Sequence, residues 1–168
     1  MPYNFTCSLW PKKDEHFFHQ KVIIPVKQEG PHCVSTVLAM LTGKKPADFQ
    51  TSALNTQDPI SWSDLLKPYG MKLAYCPCDV RKLKFYIDEL IELDDLFLLC
   101  YYIPTGPEIL KDPDVNGWVC SSHVVILHRD KIIDPKRGDI TPAKNHECNE
   151  HHTKRIFRVV PSNYERGL

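Results

Sequence analysis

The chain has 168 residues, enough for one domain with a hydrophobic core. Lysine plus arginine number 21 and aspartate plus glutamate also number 21, so the formal net charge is zero. This balance gives no electrostatic reason to expect nucleic acid or an anionic membrane as a partner. No apolar run approaches the roughly 20 residues of a membrane-spanning helix, so we expect a single globular domain over residues 1–168 and no membrane span.

Cysteine usage indicates a reducing compartment. Seven cysteines is an odd number, and the first residues lack the basic start and apolar core of a secretory signal. We therefore expect reduced thiols in a cytoplasmic protein. The sequence says nothing about the oligomeric state.

The first third of the chain predicts an arm followed by a helix. Residues 1–20 mix aromatic, charged and proline residues without periodicity, which indicates an irregular N-terminal arm. Residues 21–26 form a short β-type run that a proline interrupts, so they predict at most an edge strand or an extended lead-in. Residues 33–41 predict a helix that Gly43 ends, and residues 46–50 predict a short helical turn.

The middle third predicts two further helices and two strands. Residues 61–64 resemble a capping box and predict the start of a helix that Gly70 ends. Residues 71–76 predict a strand. Asp79 is the predicted cap of an amphipathic helix that runs to about residue 93. The continuously apolar residues 95–103 predict a buried central strand.

The last third predicts a β-rich half. Residues 104–118 are rich in proline, glycine and aspartate and predict a long surface loop that leads into the strand carrying His123. Residues 119–128 and 131–134 predict a hairpin, residues 135–153 a polar, histidine-rich loop, and residues 155–160 a last strand. Helices that precede an antiparallel sheet predict the α+β class, with N-terminal helices packed on the sheet.

Cys33 has the strongest claim to chemistry. It follows a glutamine and a Gly-Pro turn, and it opens the apolar helix. Unpaired backbone N–H groups and the positive end of the helix dipole favour a thiolate at such a position. The other six cysteines lack this context, so Cys33 is the candidate nucleophile.

His123 and Asp134 are the candidate base and its orienting acid. His123 begins the apolar strand HVVIL, and Asp134 ends the next strand. Neighbouring strands lie about 5 Å apart, so a hairpin can bring the two side chains together. A structural role for His123, or a turn started by Asp134 with Pro135, is the alternative. His32 is a rival base, but adjacent residues at a helix start point apart.

A second group of side chains has the ligand types that zinc prefers. Its members are Cys76, Cys78, His146, Cys148, His151 and His152. Their spacings match no closed tetrahedral site, so we expect no metal and a solvated polar segment. A zinc-dependent structural protein is the alternative, which metal analysis would decide.

Four residues in this order resemble a known family. Gln28 shortly before the helix-opening Cys33, then His123 in an HxVV strand, then Asp134 followed by proline resemble the papain-like cysteine peptidases. The pattern is most similar to the compact bacterial peptidase domains that remove double-glycine leader peptides from bacteriocins. It differs in a Gln-to-Cys spacing that is one residue shorter, and in Val34, where that family commonly has glycine.

The resemblance implies a papain-like fold and a cysteine peptidase without a cofactor. It assigns Cys33 as nucleophile, His123 as base, Asp134 as orienting acid and Gln28 as a donor to the oxyanion. The substrate would be a peptide or a protein. Acyl transfer to an amine and side-chain deamidation use the same residues, and an inactive papain-like binding module is the remaining alternative.

Overall fold

The computed structural model describes residues 8–103 and 122–168 and contains a six-stranded antiparallel sheet. The strands are β1 Met71–Cys76, β2 Leu96–Tyr102, β3 Ser122–His128, β4 Lys131–Asp134, β5 Asp139–Pro142 and β6 Thr153–Pro161. The sheet order is β1-β6-β2-β3-β4-β5. The helices are α1 Cys33–Thr42, α2 Pro59–Leu66 and α3 Lys84–Leu93.

Helices cover both faces of the sheet. In β2, Leu96 and Leu98 belong to the core that includes residues of α1 and α2, whereas Phe97 and Leu99 belong to the core that includes residues of α3. This alternation follows from the period of two in a strand. The predicted α+β class is confirmed, and so is the central, buried position of β2. None of the helices in the described residues has the length and hydropathy needed to cross a bilayer.

The first helix begins and ends where the sequence predicts. α1 begins at Cys33, and its residues are buried from Cys33 to Leu41. Gly43 adopts a left-handed conformation with φ of 72°, and its N–H donates to the carbonyl of Ala39. This is the usual glycine stop, because a side chain would be strained there. The predicted helical turn is also confirmed, as a 3₁₀ turn over Pro46–Phe49.

The second helix begins earlier than predicted. Asp58, and not Ser61, is the N-cap residue, since its carboxylate accepts from the N–H of Ile60 at 3.0 Å. Pro59 then occupies the first helical position, where its fixed φ is already helical and its missing N–H costs nothing. The predicted stop at Gly70 is confirmed, after a 3₁₀ turn.

The third helix begins later than predicted. α3 starts at Lys84, and Asp79 does not cap it. The Asp79 carboxylate instead accepts from the side chain of Arg81 and from the hydroxyl of Tyr86, each at 2.7 Å. These local hydrogen bonds offer the aspartate an alternative to capping.

The predicted hairpin is present between β3 and β4. Arg129 occupies the turn with φ of 61°. Residues 119–121 of the predicted first strand lie outside the described residues, as does the loop predicted for residues 104–118. The predicted last strand is β6, which lies between β1 and β2 in the sheet.

The segment 135–153 is not the solvated polar loop that its composition predicts. It contains β5 and two 3₁₀ turns, and it buries His146, Cys148 and Asn149. Buried polar groups are tolerated when they are hydrogen-bonded, and Asn149 donates to two backbone carbonyls at 2.8 Å. Composition alone therefore misjudged this segment.

The described part of the N-terminal arm packs against the sheet without forming a helix or a strand. Trp10 is fully buried. The buried carboxylate of Asp95 accepts from the N–H groups of Phe17 and Phe18, and from the guanidinium of Arg158 at 2.6 Å. The arm is thus tied to a buried ion pair between Asp95, just before β2, and Arg158 of β6.

Candidate active site

Cys33 lines a cleft at the end of the sheet where β3 begins. The other lining residues include His123, Thr56, Trp62, Cys100, Lys154 and Arg155. Only 7% of the Cys33 surface is exposed. No acidic residue lies in the first turn of α1, so no negative side chain in that turn offsets the positive end of the helix dipole.

His123 and Asp134 form a buried pair. The Nε2 atom of His123 lies 2.7 Å from Oδ1 of Asp134. Strands β3 and β4 pair Ile126 with Ile133, and extending this register by one residue places Asp134 opposite Val125. His123 is then the diagonal neighbour of Asp134 on the same face, which is within reach of a long side chain.

Three donors surround the carboxylate of Asp134. Oδ1 accepts from His123 and from the backbone N–H of Lys136 at 2.9 Å, while Oδ2 accepts from Nε2 of His146 at 2.8 Å. Burial alone would raise the pKa of Asp134, but the hydrogen bonds from His123 and His146 hold it well below its usual range. Asp134 is therefore a carboxylate at neutral pH.

His146 is held in one tautomer by the backbone. The N–H of Cys148 donates to Nδ1 of His146 at 2.9 Å, so this nitrogen carries a lone pair. Nε2 must then carry the hydrogen that Asp134 accepts. Sequence reasoning named this residue only as a zinc-type ligand in a solvated segment, and it missed the contact with Asp134. Its contact depends on the chain returning to β4 after β5, which no local pattern indicates.

Asp134 also determines which ring nitrogen of His123 can act as a base. Because Asp134 is a carboxylate and faces Nε2, this nitrogen carries a hydrogen, and Nδ1 is the ring atom left to act as a base. The ring of Tyr101 meets the imidazole edge-on, with centroids 5.6 Å apart. The imidazole is thus held by Asp134 on one side and by an aromatic ring on another.

Gln28 lies beside this group, and its side-chain amide is partly engaged by the backbone. Its backbone N–H donates to the carbonyl of Pro135 at 2.6 Å, which places it next to Asp134. Its side-chain Nε2 donates to the carbonyl of Gly30 at 2.8 Å. An amide has two hydrogens on this nitrogen, so one remains for a further acceptor. Gln28 is not among the described residues that line the cleft.

One group of described side chains is compact enough to hold a metal ion. Its members are Asp134, His146 and Glu147. Both oxygens of Asp134 already accept hydrogen bonds, and Nδ1 of His146 accepts from the backbone. A cation there would have to displace these bonds, so the donor set does not fit a metal. This group shares only His146 with the set of cysteines and histidines that the sequence suggests.

Four other described thiols, three buried and one partly exposed, are poor nucleophiles. Burial raises the pKa of Cys76, Cys100 and Cys148 to about 12, and burial also raises the pKa of Cys78. Thiols of this kind stay protonated and unreactive at neutral pH. Among these cysteines and Cys33, only Cys33 begins a helix.

Comparisons with known proteins show similarity at the level of structure. No protein-family model matches the chain, and no curated protein matches it. Among solved structures, the chain is similar to the peptidase domain of Streptococcus ComA, a bi-functional ABC transporter involved in a quorum-sensing pathway. The match covers 83% of this chain and 99% of that domain, with 13% sequence identity and a TM-score of 0.49. These values are too low to transfer residues or roles between the two chains.

Proposed function

We propose that the protein is a cysteine peptidase that cleaves a peptide or amide bond through a thioester. The observation that carries the proposal is the 2.7 Å hydrogen bond between the buried carboxylate of Asp134 and His123, which lines the cleft together with Cys33. A thiol at a helix start, a base, and an acid that orients the base are the parts of an activated nucleophile.

The proposed reaction has two stages. Nδ1 of His123 takes the proton of Cys33, and the thiolate attacks the substrate carbonyl to give a tetrahedral intermediate. The backbone N–H of Cys33 and the second amide hydrogen of Gln28 are the proposed oxyanion donors. His123 then protonates the leaving amine, and water hydrolyses the thioester. Asp134 keeps the imidazole in its tautomer, and His146 keeps the carboxylate of Asp134 in place.

Cleavage of a peptide library by the wild-type protein and by Cys33→Ala tests this function. We expect the wild type to cut and Cys33→Ala to be inactive but folded, because the covalent route is lost. Cys78→Ala is the control, since Cys78 is a partly exposed thiol outside the described lining of the cleft. Equal cleavage by Cys33→Ala, or no cleavage and no covalent modification of Cys33 by electrophilic peptides, would refute the proposal.

The same library separates the related reactions. In ¹⁸O-labelled water, hydrolysis places the label in the new carboxyl group, whereas transfer to an added amine gives an unlabelled amide. Deamidation changes a glutamine or asparagine side chain and leaves the backbone intact. We expect backbone cleavage, with the label in the new C-terminal carboxyl group.

We also propose that the protein works in a reducing compartment such as the cytoplasm. Cys76, Cys78, Cys100 and Cys148 are thiols and not disulfides, which suits such a compartment.

A further inference from the structure

Strand β6 contains an irregularity where it passes the cleft. Thr153 pairs with Tyr101 of β2 and Arg155 pairs with Cys100, the residue next to Tyr101. Lys154 is therefore an extra residue with no partner of its own in the β2 register, as in a β-bulge. A bulge bends its strand and re-aims a side chain, often beside an active site.

The bulge turns two neighbouring cations to the same side. In a regular strand, residues 154 and 155 would face opposite ways. Phe157 belongs to the core on the α1 side, so alternation also places Arg155 on that side. Thr153 faces the other way and donates to the carbonyl of Arg81 at 2.7 Å. Lys154 follows Arg155 to the α1 side, and both residues line the cleft.

Both cations line the same cleft as the proposed reacting groups. Nζ of Lys154 lies 3.4 Å from Oγ of Ser122, the residue before His123. Burial raises the pKa of Cys100, a thiol in the cleft wall, and the charges of Arg155 and Lys154 oppose this rise. Both cations are half-buried, so water screens them less than it screens exposed side chains.

The described lining of the cleft contains no carboxylate that would neutralise these charges. We propose that Lys154 and Arg155 form an anion subsite, and that the substrate carries a carboxylate beside the amide that Cys33 attacks. The second part rests on the proposed function. Two cations in a cleft raise the local concentration of an anionic ligand and hold it in one orientation.

Two small alkylating agents test the subsite without a substrate. Iodoacetate and iodoacetamide differ in charge but react alike, so their rate ratio at Cys33 reports the local potential. We expect the double variant Lys154→Gln/Arg155→Gln to lower the iodoacetate-to-iodoacetamide ratio about fivefold at low salt. The wild-type ratio should fall as salt is added.

A matched control removes two charges elsewhere. Lys67→Gln/Lys131→Gln deletes two exposed cations that pair with Asp64 and Asp130, and it should leave the ratio unchanged. A ratio that the Lys154/Arg155 double variant does not change would overturn the subsite. So would an equal fall in the control.

Peptides identify which carboxylate the subsite takes. One series places aspartate or glutamate next to the scissile bond, and the other compares a C-terminal carboxylate with its amide. Preference within the first series indicates an acidic side chain, and preference within the second indicates a chain terminus. Cleavage by Cys33 with no preference in either series would refute this inference and leave the peptidase standing. No cleavage, and no modification of Cys33 by electrophilic peptides, would instead refute the peptidase, while the alkylation ratio at Cys33 could still support the subsite.

Discussion

Asp134 uses both of its oxygens, and this determines what each neighbouring histidine does. Oδ1 faces His123 and Oδ2 faces His146. His146 is a donor in a fixed tautomer, because the backbone of Cys148 occupies its other nitrogen. A carboxylate held from two sides has little freedom to rotate, so the orientation of His123 depends on His146 as well.

The role of His146 can be tested by removing its hydrogen bond to Asp134 while keeping an aromatic ring. His146→Phe keeps an aromatic ring but has no hydrogen-bond donor. We expect this variant to slow the alkylation of Cys33 at pH 6 roughly tenfold. This is the smaller effect seen when a hydrogen-bond partner of a metal-bound histidine is removed. His146→Gln retains an N–H donor and should recover part of the rate. A pH profile of alkylation for the two folded variants is the measurement. An unchanged pH profile in His146→Phe would show that His146 only packs in the core and does not position Asp134.

Asp134 also makes a prediction for acid stability. Its folded pKa lies below the unfolded value of about 3.9. Its stabilisation is therefore complete above about pH 4 and is lost as the pH falls toward the folded pKa. We expect wild type to exceed Asp134→Asn in free energy of unfolding at pH 6, and the gap to narrow by about 1 kcal/mol per pH unit below pH 4. Urea unfolding at pH 6 and pH 3 measures it, and a gap independent of pH would contradict the depressed pKa.

Some site residues can be found from sequence and others cannot. Cys33 has a local signal, a helix start after a Gly-Pro turn, and His123 and Asp134 share a short hairpin. Their contact thus follows from a few residues of chain. His146 reaches Asp134 only because the chain folds back after β5, and Lys154 reaches the cleft only through a bulge. These last two depend on tertiary structure.

At the level of elements, α2 begins directly after the N-cap Asp58 and not at residues 61–64, where the sequence predicts its start. Asp58→Ala removes the capping oxygen and should lower the free energy of unfolding by about 1 kcal/mol. Asp58→Asn keeps a capping oxygen and should cost little. Chemical denaturation of both variants is the measurement. Equal losses in the two variants would show that the cap contributes little and that another contact of Asp58 matters.

Helix ends were predicted better than helix starts, for a physical reason. Gly43 and Gly70 both adopt left-handed conformations that other residues reach only with strain. A start has several competing acceptors nearby, as with Asp58 and Ser61. Asp79 illustrates the competition, since Arg81 and Tyr86 hold its carboxylate away from the helix.

At the scale of the whole molecule, a buried ion pair joins the arm to the sheet. Asp95→Asn would leave Arg158 as a buried charge without its counterion, which typically costs 3–5 kcal/mol. We expect this variant to be much less stable and more rapidly cleaved by proteases within residues 11–20. Asp94→Asn is the control, because its pair with Arg129 is exposed and should contribute about 0–1 kcal/mol. Similar stabilities for the two variants would contradict the anchoring role.

The order of strands lay beyond sequence reasoning. Alternation and turn residues predicted which segments are strands, but not that the last strand, β6, inserts between β1 and β2. This insertion brings Arg155 to Cys100 and Arg158 to Phe97. Both the anion subsite and the buried ion pair therefore follow from a pairing between residues more than fifty positions apart.

The pH dependence of Cys33 alkylation, read cysteine by cysteine in peptide maps, is the most direct test of the central claim. A thiol activated by His123 should react with iodoacetamide at pH 6, well below the value of about 8.5 usual for cysteine, and before Cys76, Cys78, Cys100 and Cys148. His123→Gln should move that reactivity to alkaline pH while the protein stays folded. Reaction of Cys33 only at alkaline pH in the wild type, or a profile that His123→Gln leaves unchanged, would contradict the account.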